Sequence, residues 1–164
     1  SSLNRPSWPW FRDSQRRLMN EIPNTGMAVC TDRGDSLDVH PTRKQEVGER
    51  LARWALNKTY GHHVIPSGPL YKSVVFNKSV AYVSFDYADG MKAAEEGAEL
   101  KTFEVAGEDQ VFYPAKAVVE GQQVKVWSNQ VKEPKIVRYG WQPFTRANLV
   151  NGEGLPASTF RSDI

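Results

Sequence analysis

The 164-residue chain reads as a mixed α/β segment followed by an antiparallel, sandwich-like β module, with the boundary near residue 61. Three observations predict this. Up to residue 61, helical periodicity alternates with one short apolar run bounded by turn formers. From about Pro66 onward the period becomes strictly alternating, the period of a half-buried strand. Turn-forming pairs separate those alternating runs at the spacing of hairpins. The predicted division is 1–61, holding a helix, a strand, an Asp/His loop and a second helix, and 62–164, a β-rich module with a long C-terminal tail.

The first helix opens after Ser7, a suitable N-cap, on Trp8-Pro9-Trp10-Phe11, and runs through a polar stretch to Asn20. Phe11, Leu18 and Met19 lie near one face of it, as on an amphipathic helix. Residues 26–31 are apolar and β-branched between turn formers, which suits a buried strand of a parallel sheet and is too short for a core helix. After a loop over 32–41, Thr42 and Gln45 have capping-box spacing, and Val47, Leu51, Trp54 and Ala55 recur on one helical face. That helix is expected to end near Tyr60-Gly61, with Gly61 as its left-handed cap. Alternating runs over 71–76, 80–85, 100–105 and 123–127 follow, with turns at Asn77-Lys78, Gly107-Glu108-Asp109 and Glu120-Gly121. The tail over 139–164, rich in Gly, Pro and Asn, predicts a long ordered loop closing onto something else.

Composition removes several classes of function. With 40% apolar and 24% charged residues, neither disorder nor a membrane span is needed, and no apolar run approaches bilayer length. The net charge of +2 comes from scattered residues instead of a basic stripe that could track phosphates, which argues against nucleic acid as a partner. Ser1 to Trp10 lack the basic start and apolar stretch of a signal peptide, so any targeting segment is expected outside this chain. The single cysteine, Cys30, sits in an apolar run with nothing cationic flanking it in sequence, and reads as a small buried thiol.

The loop after the predicted strand carries the chemistry. Asp32, Asp35, Asp38 and His40 fall within nine residues, at the strand end where open α/β sheets build their sites. In an extended stretch Asp38 and His40 point the same way, so the carboxylate could orient the imidazole as a general base. Two other readings of the same residues are open. An Asp-rich loop can simply form turns and caps. Asp32, Asp35, Asp38 and His40 could also hold a metal, although a second histidine at ligand spacing is lacking and His62-His63 reads as a solvated pair. Gly34-Asp35-Ser36-Leu37 spells the name of a lipase/esterase family, but Ser36 stands four residues before His40 in one loop. So placed, it could hardly present Oγ to Nε2 while leaving room for a tetrahedral intermediate, and it is rejected as nucleophile.

A wider pattern surrounds that loop: Gly26-Met27-Ala28-Val29-Cys30-Thr31-Asp32-Arg33-Gly34-Asp35, Asp38-Val39-His40-Pro41, Lys44-Gln45 and Gly48-Glu49-Arg50-Leu51-Ala52. It continues through Gly68-Pro69-Leu70-Tyr71, Phe103-Glu104-Val105-Ala106-Gly107, Arg138-Tyr139-Gly140-Trp141, Asn148-Leu149 and Gly154-Leu155-Pro156-Ala157, and Trp8-Pro9-Trp10-Phe11-Arg12-Asp13-Ser14-Gln15 precedes it. Together these resemble the late catalytic block of bacterial sialate O-acetylesterases of the SGNH hydrolase superfamily. The resemblance implies the C-terminal piece of an SGNH-type, flavodoxin-like three-layer α/β hydrolase domain, followed by the β module.

It also implies a cofactor-independent Ser-His-Asp hydrolase of acetyl esters on sugars, with sialic acid 9-O-acetyl groups or related glycans as substrate. His40 would be its base and Asp38 the orienter, with Asp35 and Asp32 as alternatives. Many such enzymes place the aspartate three residues before the histidine, where this chain has Leu37. Trp141, Tyr139 and Asn148 are the candidate substrate contacts. The nucleophilic serine and the oxyanion-hole donors have no counterpart here, so the chain is expected to be a piece whose partner is the upstream part of the same protein, inactive alone. Acetylated sugar substrates place the protein in the periplasm or outside the cell. The rival expectation is a non-catalytic carbohydrate-binding or structural β module, with Trp127, Trp141, Tyr139 and Phe144 as a sugar-stacking platform.

Overall fold

Alternating side chains need a partner strand on each edge and a core beneath, and the second half of the chain supplies both. A computed structural model describes residues 5–38, 40 and 42–164. Its strands are β1 (Leu70–Asn77), β2 (Val80–Asp86), β3 (Lys92–Ala93), β4 (Phe103–Ala106), β5 (Tyr113–Pro114), β6 (Lys116–Glu120), β7 (Gln123–Trp127), β8 (Ile136–Tyr139), β9 (Leu149–Val150) and β10 (Phe160–Arg161). They form one sheet in the order β1-β2-β7-β6, a second in the order β10-β8-β4-β5, and the ribbon β3-β9. Every pairing is antiparallel.

Register places the apolar residues of neighbouring strands in rows. Ala117, Val126 and Ala81 form one row of the first sheet, and Val119, Val124 and Val83 the next. These rows meet Phe103, Val105, Val137, Tyr139 and Phe160 of the second sheet in a single core cluster. The turn signals form turns: Lys78 at φ 53° and Gly121 at φ 63° take the positive values that two-residue hairpin loops demand. The tail is more than a closing loop, since residues 148–151 and 155–160 are buried and contribute β9 and β10.

The three-layer α/β expectation is overturned. Among the described residues there are two α-helices, α1 (Trp8–Glu21) and α2 (Lys44–Trp54), the second running into a π-helical turn over Ala55–Thr59. No ladder is parallel, and residues 26–31 form no strand. The run has the apolar, β-branched pattern of a strand, but a strand exists only where its main-chain groups meet a partner. The protein is therefore a small β-rich domain carrying two helices. The capping box also fails: α2 starts after Arg43 without a side-chain cap, and Gln45 donates to Glu49 instead. Gly61 does adopt the left-handed conformation, at φ 69°. No helix among the described residues is long and apolar enough to cross a membrane.

α1 is seated with its polar side inward. Its buried residues are Pro9, Asp13 and Arg16, whereas Phe11 and Leu18 are 54% and 44% exposed. Asp13 accepts from Arg16 at 2.7 and 2.9 Å and from Arg17 at 3.2 Å, and the Arg16 guanidinium lies 5.5 Å from the Tyr71 ring centre. Arg12 reaches the tail, donating to Thr159 Oγ1 at 3.0 Å and to the carbonyls of Pro143, Gly140 and Gln142 at 3.0, 2.9 and 2.6 Å. Those carbonyls lie where the chain turns out of β8, with Gly140 at φ 64°, so a guanidinium satisfies what a sheet partner would have.

Replacing Arg12 by Ala removes four hydrogen bonds at once and is expected to lower unfolding free energy by about 2–4 kcal/mol in urea denaturation. Arg12→Lys should recover only part of it, because one ammonium cannot span the same acceptors. An unchanged midpoint in Arg12→Ala would refute this anchoring role.

Candidate functional site

The Asp/His loop is held at its base by α2. Arg50, nearly buried, grips the Asp32 carboxylate with both terminal nitrogens at 2.6 and 2.7 Å. The same guanidinium donates to the Val29 carbonyl, and Trp54 Nε1 donates to the Met27 carbonyl at 2.9 Å. Gly26 is required by this packing, since a Cβ there would lie 2.5 Å from Trp54 Cγ. The bond to Asp32 keeps Arg50 firmly protonated, raising it above its ordinary range.

Beyond Asp32 the loop turns on its own aspartates. Asp35 Oδ1 accepts the Leu37 N–H at 2.7 Å, and Asp38 Oδ1 accepts the His40 N–H at 2.8 Å. Both are Asx turns, in which a side chain mimics a backbone turn. Asp32, Asp35, Asp38 and His40 then line one polar cavity of about 370 Å³. His40 is exposed, and among the described residues no hydrogen bond reaches its imidazole. Asp38 therefore holds the main chain of His40 and keeps Oδ2 for another donor. Val39 and Pro41 of the same motif lie outside the described residues. Ser36 is exposed and makes no hydrogen bond among them. No group of three or more His, Cys, Asp or Glu among the described residues could hold a metal ion.

A second, mostly apolar cavity of about 310 Å³ runs between α1 and residues 27–31, walled by Trp8, Phe11, Phe144 and that segment. It meets the polar cavity at Gly34, which lines both. Cys30 opens onto it, half-buried, with Sγ donating to the Ala28 carbonyl at 3.4 Å. Burial pushes its thiol up, so it carries little thiolate for nucleophilic work.

The remaining sequence candidates lie elsewhere. Tyr139 is in the core, where its hydroxyl accepts the Leu149 N–H at 2.8 Å and burial pushes the phenol up. Asn148 is buried, accepting from Lys101 N–H and donating to the Glu99 carbonyl, which ties the start of β9 to the loop between β3 and β4. Trp141 is buried with its ring edge-on to Trp10. Of the four aromatics read as a platform, Trp127 and Phe144 are half-buried. Sequence reasoning missed Arg50 and Arg12. The only local signal for either was a charged residue interrupting a helical face, which most helices also show on their solvent side.

No family profile and no curated protein matches the chain. A solved structure does: the chain is similar to a carbohydrate acetylesterase from Xanthomonas citri, with 38% identity and a TM-score of 0.86 over 92% of this chain and 35% of that one. The chain thus spans about a third of the length of that structure.

Arg50→Ala and Asp32→Ala are each expected to cost about 2–3 kcal/mol, and the double variant little more than either alone, because both remove the same bidentate pair. Additive losses in denaturant titrations would show that the pair is not the unit. Cys30 should alkylate more slowly than free cysteine at neutral pH and accelerate as pH rises, since its titration is displaced upward. A rate at neutral pH equal to that of free cysteine would contradict this.

Proposed function

We propose that the chain is the histidine-bearing part of a serine-type carbohydrate O-acetylesterase. The likeness to the Xanthomonas citri acetylesterase over 92% of the chain carries this reading. The cavity holding His40 with three aspartates supports it, because that is where a base and its orienter would stand. Asp32 is the weakest orienter, both of its oxygens being engaged by Arg50. Asp38 is the strongest, since its Asx turn sets the main chain of His40 and its second oxygen is uncommitted among the described residues.

In this reading a serine on polypeptide outside the chain attacks the acetyl carbonyl carbon, and His40 takes the hydroxyl proton. The tetrahedral intermediate collapses with cleavage of the carbon–oxygen bond to the sugar, whose oxygen receives that proton. Water then attacks the acetyl-serine, again giving a proton to His40, and acetate leaves as the proton returns to serine. Sialic acid 9-O-acetyl esters or related acetylated glycans are the substrates, and the periplasm or the cell exterior is where such substrates are met. The reaction requires no cofactor beyond these side chains.

Acetate release from acetylated sugars measures the reading directly. The isolated chain should show no turnover, and turnover that vanishes in Ser36→Ala would overturn the requirement for an external serine. In the assembled enzyme His40→Ala should lower kcat on the order of 10³-fold or more with unchanged thermal unfolding, and a wild-type rate would reject His40 as base. Asp38→Asn preserves the Oδ1 acceptor of the turn, so its loss of kcat reports on orientation alone. A larger loss in Asp35→Asn would transfer that role to Asp35.

A further inference from the structure

A further cavity, of about 330 Å³, opens on the β module where two of its loops meet. One loop, 87–90, leaves β2, and the other, 151–153, leaves β9. Gly90 stands at φ 68°, and a Cβ on it would lie 2.9 Å from the Gly152 Cα, so the loops approach this closely only through glycine. The Gly152 N–H donates to the Asp89 carbonyl at 2.8 Å across the junction. Asn151, 2% exposed, fixes both walls. Its amide nitrogen donates to the Ser67 and Tyr87 carbonyls at 2.9 and 3.3 Å, and its oxygen accepts the Glu153 and Leu155 N–H groups at 3.2 and 3.1 Å. Both donors and both acceptor positions of that amide are used, which leaves the loops little freedom.

The side chains at the cavity are less fully engaged. Tyr87 is held at φ 57°, a conformation that bulky residues rarely adopt, and its ring stands T-shaped against Trp54 of α2 with centres 6.0 Å apart. Ile65 lines the same cavity and is 38% exposed. Asp89 accepts from Gln122 Nε2 through Oδ1 at 2.8 Å, and Glu153 meets Arg53 through Oε2 at 3.3 Å. Among the described residues Asp89 Oδ2, Glu153 Oε1 and the Tyr87 hydroxyl make no hydrogen bond.

We propose that this cavity is a glycan subsite for a neutral sugar unit of the carbohydrate chain that carries the acetyl esters. Tyr87 and Ile65 receive the apolar face of the sugar ring, and Asp89 Oδ2 and Glu153 Oε1 accept from its hydroxyls. The inference rests on the reading that the substrate is a carbohydrate, and extends it to a chain bound at more than one unit. The chemistry of the walls sets the ligand class. Two carboxylates repel a phosphate or a sugar acid, and an apolar floor with free acceptors matches a molecule that has C–H faces and O–H donors together. Arg53 and Gln122 already lean on the two carboxylates, so what they offer is acceptor oxygens more than bare charge for a cation. Loops pre-set by Asn151 and the two glycines bind without an ordering cost.

Acetyl-free cellohexaose, mannohexaose and xylohexaose are titrated into the 164-residue chain and followed by amide NMR, with N-acetylneuraminic acid and tetramethylammonium chloride as further ligands. Expected are saturable shifts at the amides of Asp89, Gly152 and Glu153 with at least one hexaose, and none with the acid or the cation. Tyr87→Ala should weaken that binding by about tenfold. Asp89→Asn, at an exposed position whose loss does not threaten folding, should weaken it severalfold because a neutral acceptor replaces a charged one. No saturable shift with any hexaose would overturn the subsite, as would shifts that survive both substitutions, for example on the open sheet face around Trp127. Tighter binding of the acid or the cation than of every hexaose would overturn the neutral sugar. Because the probes carry no acetyl group, the result stands apart from acetate release: a failed titration leaves the esterase reading in place, and a failed esterase assay leaves the titration in place.

Discussion

Arg12 determines how the first helix meets the sandwich, and much of the rest follows from it. One guanidinium donating to three carbonyls and a hydroxyl fixes the distance and rotation of α1 on the tail that leaves β8. The neighbouring Asp13–Arg16 pair does the same one turn further along, against Tyr71 of β1. Polar groups so deeply placed tolerate few alternative rotations, because each would strand a buried charge. A helix clamped by its polar side must present its apolar side elsewhere, and here Trp8 and Phe11 of that side border the trough beside residues 27–31.

The loop is fixed from the other direction. Arg50 joins Val29, Asp32 and α2 in one contact, so the entry to the Asp/His loop is held by α2, which in turn meets the β module through Arg53–Glu153 and Trp54–Tyr87. Beyond that point the loop relies on Asp35 and Asp38 closing their own turns. Two scales of order result: an ion pair of about 18 residues' separation holds the base, and local turns shape the tip. The first is strong and long-range, and the second is what any Asp-rich loop could achieve.

This division explains what was legible in the sequence. The hairpins at Lys78 and Gly121 and the rows through Val83, Val124 and Val126 are local, set by turn chemistry and alternation, and both signals sit in the residues themselves. The orientation of α1 was not legible, because periodicity assumes that the apolar face is the covered one, whereas Arg12 and Asp13 find their partners more than a hundred residues away or on their own helix. The strand over 26–31 was misread for a related reason. Its composition meets the requirements of a strand, but hydrogen-bonded pairing is a property of two segments, and among the described residues no strand lies beside it. The gathering of Asp32, Asp35, Asp38 and His40 at one cavity was legible from their closeness in sequence, while the engagement of Asp32 by Arg50 was not.

The arrangement at His40 carries a physical consequence for any chemistry there. Asp38 positions the histidine's main chain, but the imidazole is exposed and borders an open cavity. A carboxylate in water orients an imidazole poorly, since solvent competes for both groups and the high dielectric flattens their attraction to about 1 kcal/mol at 4 Å. Excluding water from such a site strengthens the pull of a carboxylate on an imidazole and confines its rotamers at once. In the proposed reaction, the orienting power of Asp38 therefore depends on how far water is excluded from this loop.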